Sequence, residues 1–305
     1  MLARAALYFD EVARRGSIRR ASERLHIAPS AVDRQIIQLE EQMGMPLFER
    51  LPQGLRLTAA GETLIVAVRR WKRDLESVKS QIDDLRGLRR GEVSVALNEG
   101  AAEFLAGALK TFQDQYPAIA YRFHIAGSLA IADLVLGGEY DIGLTFNTIQ
   151  SHALRIEQTL LYRLGIVVRP DHPLAARGEV SLAECLQLPL IVPDETISLR
   201  TLFDQAWAKT VGGSPRIVAV SNSISMVKAL VKAGVGLGVL TEFDVLSEIR
   251  DGEMVFLTLS DPHISISDLS VLTASGRLLS VPASLFLQHL AGAMLAEAPG
   301  LAVQA

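Results

Sequence analysis

Residues 4–60 carry the pattern of a helix-turn-helix, and an unbroken heptad register starts directly behind it. Leu64, Val68, Trp71, Leu75, Val78, Ile82 and Leu85 alternate steps of four and three residues. Apolar residues on that period form the seam that two supercoiled helices bury between them. No other feature restricts the chain so strongly. A short helical head is joined to a pairing rod before any further domain begins.

The head divides into three helices and a wing. Leu2, Ala5, Ala6, Phe9, Val12 and Ala13 form one core-facing stripe, closed by Gly16. Ser17 is an N-cap for a short second helix over 18–25, with Ala21 and Leu25 inward. His26-Ile27-Ala28 is the turn, and Pro29 opens the third helix, where its fixed φ is suited and its missing N–H costs nothing. Val32, Ile36, Leu39 and Met43 predict its buried face, while Ser30, Asp33, Arg34 and Ile37 share the opposite face, open to a major groove. Phe48 to Thr58 reads as a hairpin around Pro52-Gln53-Gly54, with Arg50 and Arg56 at its flanks. A plain three-helix bundle with a solvated basic face is the rival reading, and the order of these features argues against it.

Residues 7–61 closely resemble the winged helix-turn-helix of LysR-type transcriptional regulators. The match rests on Phe9, Gly16-Ser17, Ala21, Leu25, Arg34-Gln35-Ile36, Leu39-Glu40, Gly44, Leu47-Phe48-Glu49-Arg50 and Leu57-Thr58-Ala59-Ala60-Gly61. The resemblance implies that Arg34 and Gln35 lie on or beside the recognition surface and that Ser17 and Arg50 hold phosphate. Arg19, Arg20, Ser30, Asp33, Gln38 and Arg56 complete the candidate DNA contacts. Two positions depart from the family pattern. Asp33 stands where a serine is usual, and a carboxylate there either repels phosphate or accepts from a cytosine amino group. Ala28 stands where a capping serine is common.

The expected fold class is α + α/β in three parts. Residues 1–60 are the winged helix-turn-helix, 61–90 the dimerising linker helix and a hinge at Gly87–Gly91, and 91–305 a regulatory domain. In that last part strands alternate with helices, the pattern of a doubly wound α/β unit. The resemblance implies two lobes related to periplasmic binding proteins, about 91–162 with 266–305 and about 163–265, and an effector cleft between them. Ligands of open α/β sheets bind beyond the carboxyl ends of the strands. The residues at those ends are Asn98, Glu99, Gly100, Ala101, Ser128, Asn147, Ser198, Arg200 and Asn222. Each by itself suits helix capping, and as a set they suit a small ligand. Arg200 suits either an effector carboxylate or a solvated surface position, whereas Glu99 complicates a simple anion pocket and suits an amine or hydroxyl.

Charge distribution agrees. Residues 1–60 hold nine Lys/Arg against seven Asp/Glu and residues 61–90 eight against five, although the whole chain is at −4. At 305 residues the chain has room for two or three domains. No stretch has the length and apolarity of a membrane span, the first residues do not read as a secretory signal, and the single cysteine, Cys185, reads as a small buried apolar residue. The expected compartment is the cytoplasm. The histidines show no metal-ligand spacing, and no cofactor is implied. Gly234-Val235-Gly236-Leu237-Gly238 follows a helix and enters a strand, the reverse of a dinucleotide loop.

The expected function is sequence-specific transcriptional regulation, with double-stranded operator DNA, a small-molecule effector and a second copy of the chain as partners; the resemblance implies a dimer of dimers. The alternative is a small-molecule binding protein or enzyme that uses the α/β region without regulatory DNA binding. The absence of a clustered acid, base or nucleophile argues against an enzyme.

Overall fold

The computed structural model describes residues 2–84, 91–148, 150–262, 264 and 266–297. Contacts divide the chain into two compact units, Met1–Ile82 with Gly137–Glu139, and Asp83–Leu136 with Tyr140–Ala305. Leu85, Gly87 and Arg89-Arg90, read above as the end of the seam and a hinge, lie outside the described residues.

The first unit contains α1 (Leu2–Arg15), α2 (Ile18–Leu25), α3 (Pro29–Met43), the antiparallel hairpin β1 (Phe48–Leu51) and β2 (Gly54–Leu57), and α4 (Ala59–Asp84). The punctuation residues act locally. Gly16, at φ +61°, ends α1, and the Ser17 side chain accepts from the Arg20 backbone N–H. Ala28 leaves α3 without a side-chain cap, with Pro29 at its first turn. Gly54 brings the wing against the first turn: the Leu55 N–H donates to Gly16 O at 2.8 Å, and a Cβ on Gly54 would meet that oxygen at 2.4 Å. Phe9, Val12, Ala21, Val32, Ile36, Leu39, Leu47 and Phe48 form one buried cluster.

Two expectations are corrected here. Met43 is exposed: the chain reverses at Gly44, and Leu47 and Phe48 take the core position instead. The heptad seam is also divided. Val68 is buried and Leu64 packs partly buried in the unit's own core, beside Ile65. The outward stripe therefore begins at Trp71, which with Leu75, Val78 and Ile82 stays 40–50% exposed. The first turns of α4 dock on the head, since an amphipathic face and a heptad seam share the same spacing and only packing decides between them.

The second unit is a continuous sheet in the order β4-β3-β5-β12-β6-β10-β8-β9, with β11 against β6 and β7 against β11. In chain order its elements are β3 (Gly91–Leu97), α5 (Ala102–Gln115), β4 (Ile119–Ile125), α6 (Ser128–Leu136), β5 (Ile142–Phe146), β6 (Leu154–Val168), β7 (Glu179–Val180), β8 (Leu190–Pro193), α7 (Ser198–Thr210), β9 (Ile217–Ser221), α8 (Ile224–Lys232), β10 (Leu237–Thr241), α9 (Leu246–Arg250), β11 (Val255–Leu259), β12 (Ile266–Ala274) and α10 (Val281–Ala296). Strand β6 runs for 15 residues. Its first part pairs with β12, and its last residues pair with β10 and β11, so one strand serves both halves of the sheet. The halves have separate cores, one built on Phe112 and Phe286 and the other on Phe203 and Trp207. After β10 the chain returns to the first core: Phe243 packs on Tyr162, Phe104 and Phe146. His263, one of the histidines read above as lacking metal-ligand spacing, lies outside the described residues.

Candidate functional site

Two surfaces carry the candidate residues. On the head, Ser30, Arg34 and Ile37 are exposed on one face of α3, with Asp33 and Gln35 half-buried beside them. Several of the basic side chains are already engaged. Arg50 of the wing pairs with Asp33 at 3.3 Å, Arg56 with Glu49 across the hairpin at 2.8 Å, and Arg19 with Glu23 at 3.3 Å. Gln35 donates to Gln38 at 2.7 Å. Arg20 and Arg34 are exposed and have no ion-pair partner among the described residues. Asp33 thus meets an arginine from the wing. That exposed pair sets the Arg50 charge against the Asp33 carboxylate and links the wing to α3 at little net stabilisation.

The second surface is a cavity of about 280 Å³ between the halves of the α/β sheet. It lies at the carboxyl ends of the parallel strands, as the topology requires. Asn98, Glu99, Gly100, Ser128, Ser198 and Asn222 line it, joined by Ile125, Phe146, Thr196, Ile224 and Asp244. Asn98 ties three strand ends together: its amide donates to Ala126 O at 2.9 Å, and its Oδ1 accepts from the Phe146 N–H at 2.7 Å and Thr145 Oγ1 at 2.9 Å. Asn147, at φ +51°, donates to Ser198 Oγ at 2.8 Å and so bridges the halves, but it does not line the cavity. Ala101 is fully buried. Arg200 turns aside, with Nε on both Asp204 oxygens at 2.9 Å.

Glu99 has a defined role. It leaves the first half of the sheet and caps α8 in the second half, accepting from Ser223 Oγ at 2.8 Å and from the Ile224 and Ser225 N–H groups at 2.9 and 3.3 Å. Burial raises its pKa, but the hydrogen bonds from Ser223, Ser225 and Ile224 outweigh burial and hold the carboxyl below its ordinary value. One turn further along, Glu103 pairs with the buried Lys228 at 2.9 Å, and Lys228 pairs with Glu248 at the same distance.

Asp244 escaped the sequence reading. Nothing in Glu242-Phe243-Asp244 marks a site until Phe243 is seen to cross back to the first core. Burial pushes its carboxyl pKa up against the lowering effect of Thr241. Thr241 donates through N–H and Oγ1 to Asp244 Oδ2 at 2.9 and 2.7 Å. A proline at position 241 would lack that N–H. Gly100 faces Asp244 so closely that a Cβ would meet Oδ1 at 2.3 Å. Cys185, by contrast, is fully buried, and its thiol pKa is pushed up to about 12 by burial, with Glu184 and Asp261 adding to the effect.

A winged helix-turn-helix and an α/β sheet wrapped around a small polar cavity define a ligand-responsive DNA-binding protein. Residues 3–62 match the family model described as bacterial regulatory helix-turn-helix protein, lysR family, and residues 86–295 match the LysR substrate binding domain. The chain belongs to the LysR family: it is a DNA-binding transcriptional regulator with an effector-binding domain. It is 30% identical over 290 residues to the HTH-type transcriptional regulator CbbR of Xanthobacter flavus, covering 93% of this chain and 86% of that one. Among solved structures it is similar to a full-length OxyR variant of Pseudomonas aeruginosa, with TM-score 0.72, 18% identity, and 96% and 94% of the two chains covered. It is also similar to the CcmR regulatory domain of Synechocystis PCC6803 in complex with 2-PG, with TM-score 0.60, 20% identity, and 69% and 100% covered. No described helix is long and apolar enough to cross a membrane.

Proposed function

We propose that this regulator reads a two-fold operator as a dimer paired through the outward stripe of α4, and that the cavity beside Glu99 and Asp244 binds its effector. The residues 1–60 form the reading head, 61–90 the pairing helix and hinge, and 91–305 the sensor, whose two lobes are the halves of the sheet that meet at β6. Two dimers associate on the operator as a tetramer. The protein works in the cytoplasm, where its DNA lies, and transmits a signal without turning over its ligand. The CcmR regulatory domain in complex with 2-PG supports a small molecule, of whatever charge, as the kind of signal such a domain holds. An effector acts only through its differential affinity for the two lobe arrangements.

The observation that carries the DNA half of this proposal is the open face of α3, where Ser30, Arg34 and Ile37 stand clear of the core. Gel-shift titration of the chain's own promoter region tests it. Arg34→Ala is expected to weaken specific binding by about 10- to 100-fold, the value of one good base contact. Asp33→Ser releases Arg50 from its ion pair, so binding is expected to strengthen at low salt and log K to fall more steeply with log salt, by about one unit per subunit. An unchanged affinity for Arg34→Ala at moderate salt would remove α3 from the interface.

The sensor half is tested by melting the full-length protein against a panel of small metabolites, since a ligand that binds the folded form raises its apparent stability. Gly127 lines the cavity, and a Cβ there meets only Thr196 O, at 3.5 Å. Gly127→Phe is expected to fill the space between the halves, and its ligand-free melting transition checks that the fold persists. Stabilising hits on the wild type are expected to be silent on this variant and to shift operator binding; hits that survive it bind elsewhere.

A further inference from the structure

The start of a helix attracts negative charge, because its first N–H groups are unpaired and its dipole is positive at that end. Three helix starts line this cavity, those of α6 at Ser128, α7 at Ser198 and α8 at Ile224, and the last of them is taken. The Ile224 and Ser225 N–H groups and Ser223 Oγ all donate to Glu99. Of the roughly four acceptor positions on a carboxylate, three are filled from one helix start. The rest of the cavity offers no compensating cation. None of its lining residues is basic among the described residues, and its wall contains a second carboxyl group, Asp244, only 4% exposed. The nearby cations are committed: Arg200 to Asp204, and Lys228 to Glu103 and Glu248.

We propose that Glu99 is a built-in anion of the effector site, filling from within the chain the α8 N-terminus where a negatively charged effector would dock, so that the cavity selects a neutral or cationic polar effector. This rests on the reading of the cavity as the effector site. It gives the hydroxyl or ammonium groups of a ligand two carboxyl groups to meet, and it makes a phosphate or carboxylate group on the ligand compete with a covalently tethered rival. The tether matters, because an intramolecular partner acts at an effective concentration in the millimolar range. The same contact joins the two halves of the sheet, so a ligand that bonds to Glu99 weakens or strengthens that bridge directly.

The test uses full-length wild type, Glu99→Ala, Glu99→Gln and Gly127→Phe, melted against acetate and inorganic phosphate with ionic strength held constant by chloride. Glu99→Ala is expected to melt below wild type and to be restored saturably by millimolar acetate, which supplies the missing carboxylate. Wild type is expected to show no saturable response to acetate or phosphate, and Glu99→Gln, whose side chain still fills the space, is expected to show none to acetate. In the metabolite panel, every hit silenced by Gly127→Phe should lack a carboxylate or phosphate group. Two results overturn the proposal. One is a folded Glu99→Ala protein that ignores acetate. The other is any anion that stabilises wild type and is silenced by Gly127→Phe, which needs no Glu99 variant; it would leave the cavity as the effector site and refute only the role of Glu99. A panel whose hits all survive Gly127→Phe refutes the site itself.

Discussion

Replacing Trp71 and Leu75 together by glutamate is expected to convert the protein to monomers and to lower operator affinity by about 10²- to 10⁴-fold, the gain that linking two half-site contacts provides. Both side chains lie on the outward stripe of α4 and are 40% and 42% exposed, so the substitutions leave the head's own core intact. Burying such a side chain against a partner contributes about 1 kcal/mol or more, and a buried unpaired carboxylate costs several. Four glutamates facing one another across the pair therefore outweigh what Val78 and Ile82 supply. The variant should retain the single half-site contact, visible as weak, strongly salt-dependent binding. Sedimentation velocity and fluorescence anisotropy on the same samples separate the two effects. A variant that stays dimeric with unaltered affinity would place the pairing surface elsewhere. Leu64→Ala should behave differently, losing head stability with little change in pairing, because Leu64 packs inward.

The contrast between Leu64 and Trp71 shows what was legible in the sequence and what was not. The elements of the head could be read because their ends are set by residues with local physics: Gly16 and Gly44 in the left-handed region, Ser17 at a cap, Pro29 at a first turn. The division of the heptad stripe was hidden, since Leu64 and Val68 obey the same period as Trp71 and Leu75, and only the packing of α1 against α4 separates them. The early part of β6 was also hidden, because its Glu157 and Gln158 break an apolar run in a strand that pairs within a wide sheet. Cavity residues were legible by position, since strand ends mark them, but not by orientation. Arg200 finds its counter-charge four residues away on its own helix and leaves the cavity. Asp244 reaches the cavity only through a tertiary crossing at Phe243. Asp33 looked like a defect in a phosphate-facing helix until Arg50 was seen beside it.

Asp10→Asn is expected to cost the head about 2–3 kcal/mol and to loosen the seat of α4. Asp10 is a carboxylate only 2% exposed on α1, and it accepts from Arg14 Nε at 3.2 Å and, across to α4, from Arg69 Nε and Lys72 Nζ at 3.3 Å each. Removing one partner from a buried charge group typically costs about 3–5 kcal/mol, and the partly exposed cations bring the figure down here. Burial raises the Asp10 pKa, but the charges of Arg14 and Lys72 outweigh it, so the carboxyl sits below the ordinary value of 3.8. A group whose folded pKa is depressed stabilises fully above its unfolded pKa and ceases to do so as pH falls through the folded one. The wild-type advantage over Asp10→Asn should therefore be constant at neutral pH and shrink below about pH 4. Urea unfolding across that range, followed by helix content and, in a Trp207→Phe background, by Trp71 fluorescence, provides the measurement. Equal stability of the two proteins at pH 7 would show that apolar packing of Ile65 and Val68 alone seats α4. Operator binding adds a second readout, since a rod that pivots on the head no longer fixes the spacing between half-sites. Asp10→Asn should then widen the range of half-site spacings the dimer accepts, while Trp71→Glu with Leu75→Glu removes dependence on spacing altogether.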